Sequence, residues 1–317
     1  MSDSPYQAVS YITVSANADG QRVDNFLLRE LSFLPKSALY KLLRKGEIRV
    51  DKKRTKPLRK LRAGEVVRLP PLRHHMQEEG SPARASESLR QALEQAIILE
   101  DDDIILLNKP SGIAVHGGTD NPHGVIEVLR ELRGKPEYLE LAHRIDRETS
   151  GLLLLAKNRM TLINLHELFK HSGIKKKYQT LVFGDWRGGQ RRVESKLQRR
   201  QNTAQKVVTN AAGKDAVSMF TPLQRFGDTT LLEADIQTGR MHQIRVQLAD
   251  AGYPVAGDKK YGDFKLNRLI RSHTGLKRLF LHAYHIEFTL NHSGKRYSHT
   301  LKLPDELQTT ITELSYG

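Results

Sequence analysis

The amino-acid sequence predicts an α+β protein in which a small basic α/β unit precedes a larger domain built on a mixed, mainly antiparallel sheet. Short apolar runs outnumber helical segments and follow one another at hairpin distances, as at 97–99 and 104–107. The composition also changes after Leu72, because 73–90 is rich in small and charged residues, as is typical of a flexible linker. We therefore expect a first domain over 1–72 and a second over 91–317.

The first domain has the pattern of two helices and two short strands. Apolar residues recur at helical spacing over 21–31. A second helix is expected to begin near Ser37, its candidate N-cap, and to end at Gly46. The short apolar pieces Ile48–Val50 and Val66–Leu69 predict strands on either side of a basic loop.

The second domain shows more strand-like than helix-like segments. Its 186–216 segment is polar and basic, and we interpret it as irregular strand and loop. Beyond the 97–107 hairpin, strands are predicted at Leu152–Leu155, 175–184, 229–236 and 278–290, and helices at 124–133, 160–171 and 239–252. No glycine-rich strand–turn–helix motif is present in the sequence, which argues against a nucleotide cofactor.

The charge balance limits the class of partner. The 317 residues include 51 Lys and Arg against 36 Asp and Glu, a net charge of +15. This surplus favours a polyanion, with nucleic acid the first candidate and a membrane surface the competing one. No apolar run approaches the roughly 20 residues that span a bilayer, so we expect no membrane partner. The lack of cysteine excludes disulfides and thiolate sites and favours the cytoplasm, and the scattered histidines predict no metal site.

Most of the positive charge is concentrated in one short segment. Between positions 36 and 62 there are twelve basic residues and two acidic ones. Charge runs are usually solvated faces, but this one falls on a small helix–helix–strand unit with little counter-charge, which suits contact with phosphates. The candidate RNA-binding residues are Lys36, Lys41, Arg44, Lys45, Arg49, Lys52, Lys53 and Arg54.

A single carboxylate stands out in the second domain. In the stretch AHRIDRETSGLLLLA, Asp146 lies between two arginines and precedes four leucines that predict a strand buried on both faces. A carboxylate on a loop held by a rigid strand is a candidate reactive group, and a structural ion pair is the equal alternative. Helical spacing places Met241, Arg245 and Leu248 on one ridge, where Arg245 either meets a carboxylate such as Asp146 or extends to solvent.

Several motifs carry a resemblance to a known family. The motif HRIDRETSG resembles the signature of the RluA-type pseudouridine synthases, and so do NKPSGIAVH, KKYQTLVFG, GRMHQIRVQLADAGYPVAGDKKYG and RLFLHA. Residues 20–72, with RVDNFL, PKSALYKLLRKGEIRV and AGEVVRLP, resemble the S4 RNA-binding domain. The main departure is Met241, which stands where the family usually has Thr and puts any role of that hydroxyl in doubt.

The resemblance implies a pseudouridine synthase fold, preceded by an S4-type domain that binds structured RNA, and an isomerase that needs neither cofactor nor metal. It assigns Asp146 as nucleophile or base and Arg245 as the partner that keeps this carboxylate ionised. Tyr178 would stack on the uracil that leaves the helix, and Arg144 would fill the gap left by that base or grip the nearby backbone.

The implied substrate is 23S ribosomal RNA, free or in an assembling large subunit. The alternatives are a synthase acting on another RNA and a ribosome-assembly protein that binds RNA through the S4 domain with an inactive second domain. Retention of Asp146, Tyr178 and Arg245 together argues against the inactive form.

Overall fold

The computed structural model describes residues 8–31, 34–72, 84–118, 122–134, 138–200 and 206–316. The chain divides into two compact units between Ser86 and Glu87. Most of the linker expected over 73–90 falls outside the described residues. Its last four residues, 87–90, form the first turn of a helix instead.

The first unit packs two helices against a small antiparallel sheet. Helix α1 spans Val23–Glu30 and α2 spans Lys36–Lys45. The strands are β1 (Ser10–Thr13), β2 (Arg49–Val50), β3 (Lys53–Arg54) and β4 (Val66–Leu69), in the order β1-β4-β2-β3. Leucines of both helices share one buried core with β4, so the apolar stripes predicted for the helices face the sheet.

The ends of α2 are set by backbone conformation. Gly46 ends the helix as predicted, with φ of +73° and its N–H donated to the carbonyls of Leu42 and Leu43. The predicted N-cap, Ser37, is wrong. Pro35 holds that place without a side-chain hydrogen bond, and Lys36 is already helical. The φ of −57° at Pro35 suits a residue that leads directly into a helix.

The second unit is built on one large sheet flanked by helices. Its helices are α3 (Glu87–Gln95), α4 (Val125–Leu132), α5 (Arg159–Lys170), α6 (Gln243–Asp250), α7 (Phe264–Thr274) and α8 (Asp305–Tyr316). Its strands are β5 (Ile97–Glu100), β6 (Ile104–Lys109), β7 (Glu140–Leu141), β8 (Ser150–Ala156), β9 (Lys175–Phe183), β10 (Arg191–Arg199), β11 (Val207–Thr209), β12 (Lys214–Phe226), β13 (Thr229–Ile236), β14 (Leu281–Thr289) and β15 (Arg296–Thr300).

The strands form an 11-stranded sheet in the order β11-β10-β12-β13-β9-β14-β8-β6-β5, with β15 beside β14 and β7 beside β8. Among the described strands, β14 and β8 form the one parallel pair, and every other pairing is antiparallel. The prediction of a mixed, mainly antiparallel α+β fold is thus confirmed.

Strand β8 is the rigid element next to the candidate carboxylate. All seven of its residues are buried. Leu152 and Leu154 pack in one core cluster with Leu165 of α5, and Leu153 and Leu155, which alternate with them, are also fully buried. The prediction of a strand covered on both faces is confirmed. Gly151 is required where β8 meets β14, because a Cβ there would lie 2.2 Å from the carbonyl oxygen of Ala283.

Two parts of the second unit differ from the sequence interpretation. In the described part of segment 186–216, the strands are more regular than expected, since β10 pairs with β11 and β12 in continuous register. The extent of β10 was not predicted because only its Leu197 is buried, so no apolar alternation marks this strand. Helix α6 begins at Gln243, after His242 in a left-handed conformation. Met241 therefore lies before the helix and not on the predicted ridge.

Candidate active site

Asp146 lies on the loop between β7 and β8, and this loop is held by a second loop over 110–113. The Arg147 carbonyl accepts the Gly112 N–H at 2.9 Å, and the Arg147 Nε donates to the Gly112 carbonyl at 2.9 Å. The loop closes with the Thr149 N–H donated to the Asp146 carbonyl at 3.1 Å. The Asp146 backbone is thus fixed from both sides before any ligand binds.

Lys109, at the end of β6, fastens the same two loops from inside the protein. It is fully buried, and its ammonium donates to the carbonyls of Pro110, Ile113 and Arg147 at 2.8, 2.8 and 3.0 Å. Burial, with the nearby charge of Arg278, lowers the pKa of Lys109 to about 7. Three simultaneous donations need the protonated ammonium, so the loop geometry itself favours the charged form.

Arg245, on α6, is shared by two carboxylates. Its Nη1 donates to Asp146 Oδ2 at 3.0 Å, while its Nε and Nη2 donate to the two oxygens of Asp258 at 2.7 and 2.8 Å. Burial lowers the pKa of Arg245, but the two carboxylates more than reverse this effect, so the net shift is upward. Of the two alternatives for Arg245, the carboxylate pairing is the one that the structure contains.

Asp258 was missed by the sequence interpretation. It is 1% exposed and also accepts the backbone N–H groups of Lys260 and Tyr261 at 2.8 and 3.1 Å. Burial raises its pKa, but the Arg245 ion pair outweighs this, so the pKa lies below its ordinary value. In the sequence, Asp258 stands before two lysines in a loop and therefore resembles a surface residue. Only the fold reveals its contact with Arg245.

A small cavity brings the three predicted residues together. It has a volume of about 110 Å³ and is lined by Asp146, Tyr178 and Arg245, among others. Tyr178, on β9, is buried, and its hydroxyl has no hydrogen-bond partner in the described part of the chain. Burial, reinforced by the Asp146 charge, raises the pKa of Tyr178. The phenol is therefore protonated at neutral pH and free to contact a ligand.

Two histidines next to Asp146 act as braces. The His143 Nε2 accepts the Leu154 N–H at 3.0 Å, and burial lowers the pKa of His143 to about 3. The His242 Nδ1 lies 2.8 Å from the Tyr261 hydroxyl, and its Nε2 is 3.9 Å from Asp146. Burial lowers the pKa of His242 to about 4, against the opposing pull of Asp146. Both rings are neutral at neutral pH and hold the site in shape.

A wider cleft adjoins the small cavity. It has a volume of about 630 Å³ and shares Asp146, Arg245 and the exposed Arg144 with the small cavity. A polyanion could approach Asp146 through this cleft, because many of its lining side chains are cationic. The basic side chains that line it are Arg144, Arg147, Arg245, Lys259, Lys260 and Arg278.

The eight basic residues named on the first unit are all exposed. Arg49 and Arg54 donate to the carbonyls of Gly46 and Lys45, and Lys45 lies 3.5 Å from Glu47.

Within the described ranges, no group of three or more histidines or carboxylates is placed to hold a metal ion. In the same ranges, no helix is long and apolar enough to cross a bilayer.

Comparison with known proteins decides the family. A family model described as RNA pseudouridylate synthase matches residues 103–250. The ribosomal large subunit pseudouridine synthase C of Haemophilus influenzae is 42% identical over 311 residues, which are 97% of this chain and 95% of that protein. The chain belongs to the RNA pseudouridine synthase family. The resemblance of the second-domain motifs to pseudouridine synthases is thereby confirmed, and the chain is an isomerase.

Further similarities cover most of the chain. The Salmonella typhi ribosomal large subunit pseudouridine synthase C is 45% identical over 285 residues, 89% of each protein. The solved structure of human RNA pseudouridylate synthase domain containing 4 is 26% identical, with a TM-score of 0.60, and covers 72% of this chain and 96% of that one. The segment matched by the family model contains Asp146, Tyr178 and Arg245, while Asp258 lies beyond its end.

Proposed function

We propose that this pseudouridine synthase isomerises specific uridines of large-subunit ribosomal RNA, 23S RNA in bacteria. The observation that carries the proposal is the Asp146 carboxylate, held at 3.0 Å by Arg245 in a cavity that also contains Tyr178. The relatives in Haemophilus influenzae and Salmonella typhi, named for the large ribosomal subunit, support the choice of RNA.

The reaction breaks the bond between N1 of uracil and C1′ of ribose, and then joins C1′ to C5 of the same base. C5 loses its proton and N1 gains one, so no atom is gained or lost overall. Asp146 acts at the sugar–base junction as nucleophile or base. Arg245 orients it, because the guanidinium Nη1 donates to Asp146 Oδ2 at 3.0 Å and is itself fixed by Asp258.

The target uridine must leave its stack to reach the cavity. Tyr178 presents a buried ring for stacking on the extruded uracil. Its protonated hydroxyl has no competing partner in the described chain and could take part in the proton transfer from C5. Arg144, exposed where the cavity and the cleft meet, occupies or borders the gap that the base leaves. This role of Arg144 rests on the family resemblance.

The first unit is proposed to be an S4-type domain that grips RNA by its phosphates. Its exposed cations on α2, β2 and β3 are suited to contacts that are independent of sequence and weaken with salt. We place its limits at 1–72, and we place the start of the catalytic domain at Glu87, where α3 begins, instead of at the expected residue 91. A ribosomal RNA substrate, together with the absence of cysteine from the sequence, supports a cytoplasmic location.

The test follows the proton lost from C5. Ribosomal RNA tritiated at uridine C5 is incubated with the protein, and release of tritium to water is measured. We expect release by the natural chain and a loss of at least about 10³-fold in Asp146→Asn, since a missing nucleophile or base removes the chemistry itself. Equal release by both proteins would overturn the role of Asp146.

The same assay separates the alternatives. Release from transfer RNA but not from ribosomal RNA would identify a synthase for another RNA. No release from any RNA, with binding retained, would identify a non-catalytic ribosome-assembly protein. Mapping the pseudouridines formed in 23S RNA then gives the target positions.

A further inference from the structure

Lys176 is a buried cation that forms no ion pair with any described residue. It lies on β9, two residues before Tyr178 and on the same face of the strand, and it is 8% exposed. In the described part of the chain, its ammonium has no carboxylate within 4 Å and no hydrogen-bond partner. The ammonium makes a cation–π contact with the ring of Phe169, whose centroid is 5.0 Å away.

Other lysines near the site are compensated. The next residue, Lys177, forms an ion pair with Glu233 at 2.7 Å. Lys109, which is also buried, donates to three carbonyls. For Lys176, burial lowers the pKa to about 8, and the charge of Asp235, which is more than 4 Å away, acts in the other direction. The cation–π contact with Phe169 recovers part of the desolvation penalty but supplies no negative charge.

The Lys176 ammonium lies beside the catalytic cavity. Gly239 lines that cavity together with Tyr178 and Asp146. A Cβ added at Gly239 would have the Lys176 Nζ, at 4.0 Å, as its only neighbour within that distance. Gly239, which has no side chain, is thus the cavity-lining residue that borders the ammonium.

We propose that Lys176 binds a phosphate oxygen of the nucleotide that enters the cavity. This inference rests on the proposed function, because it takes RNA as the ligand. A phosphodiester carries a full negative charge and can pair with the Lys176 ammonium, whereas the uracil carbonyls are neutral. The contact would anchor the backbone of the flipped nucleotide two residues along β9 from the ring that stacks on its base.

The first experiment compares Lys176→Met with Lys175→Met. Both replace a lysine on β9 by an unbranched apolar side chain, but Lys175 is exposed and on the opposite face. Binding to a 23S RNA fragment is measured over a range of salt concentrations. We expect Lys176→Met to weaken binding by roughly tenfold or more and to lower the salt slope by about 0.7, and Lys175→Met to change neither.

Thermal unfolding of the same variants separates binding from structure. Removal of an uncompensated buried charge should leave the melting temperature of Lys176→Met unchanged or raise it. A lower melting temperature with unchanged RNA binding and salt slope would overturn the proposal and assign Lys176 a structural role on Phe169.

A second experiment identifies the phosphate. RNA oligonucleotides that contain a mapped target uridine carry a neutral methylphosphonate on its 5′ or its 3′ side. At one of these positions the substitution should weaken binding by the natural chain but have no further effect in Lys176→Met. Equal losses in both proteins at every position would overturn the inference. Tritium release by the natural chain, scored separately, reports on the proposed function and not on Lys176.

Discussion

The Asp146 pocket and the basic surface of the first unit hold their charges in opposite ways. In the pocket, one guanidinium is clamped by Asp258 and presented to Asp146, with all three N–O distances at or below 3.0 Å. On α2, Lys41 and Arg44 are exposed and form no hydrogen bond or ion pair with the side chains of other described residues. A clamped charge fixes an atom for one bond-making step, whereas free charges neutralise phosphates without fixing their position.

This difference predicts two kinds of mutational response. In the pocket, Asp146 and Asp258 share the guanidinium of Arg245. Loss of one carboxylate should therefore disturb the ion pair that Arg245 forms with the other, and we expect the change to lower kcat. Because the surface charges are independent, each should contribute a small and additive part of RNA affinity. The predictions below separate these behaviours.

After the loss expected for Asp146→Asn, the largest effect is expected for Asp258→Asn. The amide keeps the shape of the side chain but leaves Arg245 with Asp146 as its only carboxylate among the described residues, so the guanidinium can shift and misplace Asp146 Oδ2. We expect kcat to fall by about 10²-fold, with a smaller change in KM. The unfolding free energy should also fall, by about 3–5 kcal/mol, because a buried ion pair is broken.

The control for this variant is Asp263→Asn, a carboxylate in the same segment that caps α7 by accepting the N–H groups of Lys265 and Leu266. Asparagine caps helices equally well, so we expect kcat to stay at the natural level. A folded Asp258→Asn enzyme with natural kcat would show that Asp146 alone is sufficient to position Arg245.

A smaller, graded effect is expected on the first unit. Lys41 and Arg44 lie on one face of α2, since they are three residues apart. Each change to Gln should lower the slope of log affinity against log salt by about 0.7–0.9 if the side chain contacts a phosphate. Because the active site is untouched, kcat at saturating RNA should stay constant while KM rises.

The matched control neutralises exposed arginines that already have a carboxylate partner. Arg192 lies 2.5 Å from Glu194, and Arg296 lies 2.5 Å from Glu287. Their change to Gln removes the same formal charge but leaves the salt slope near its natural value. Equal slopes for the α2 variants and these controls would mean that net charge, and not the α2 surface, governs RNA affinity.

The parts of the molecule that local patterns determine could be predicted from the sequence. Strands Val66–Leu69 and Thr229–Ile236 have the predicted bounds, and Gly46 ends α2 as expected. The buried run of β8 was equally clear, because an apolar run bounded by turns has few other interpretations. Helical spacing also left two interpretations of Arg245, a pair with a carboxylate or extension to solvent, and the structure contains the carboxylate pair.

The remainder depends on contacts between distant segments. The clamp by Asp258 requires α6 and the loop after it to converge on Asp146, 99 positions before Arg245, which no local pattern encodes. Helix α7 was assigned no element, because Phe264 and Leu269 face solvent instead of forming a clear apolar stripe. The place of Tyr178 came from the family resemblance, since a tyrosine on a strand is usually core.

The last effect concerns pH and the brace at His143. Its Nε2 accepts the Leu154 N–H, and a protonated ring cannot do so. Because burial lowers its pKa from 6.5 to about 3, the unfolded chain binds a proton that the folded chain does not over this interval. Stability therefore falls as pH drops from about 6.5 towards 3, by at most about 1.4 kcal/mol per pH unit from this group.

His143→Gln tests this linkage, since the Gln amide oxygen can accept the same N–H but does not titrate. Melting temperatures measured from pH 7.5 to 4 should decline less steeply for the variant than for the natural chain. The melting temperature of the natural chain relative to that of the variant should therefore fall steadily as the pH drops below about 6.5. Parallel curves would show that His143 is protonated without cost and that its bond to Leu154 does not hold the loop before Asp146.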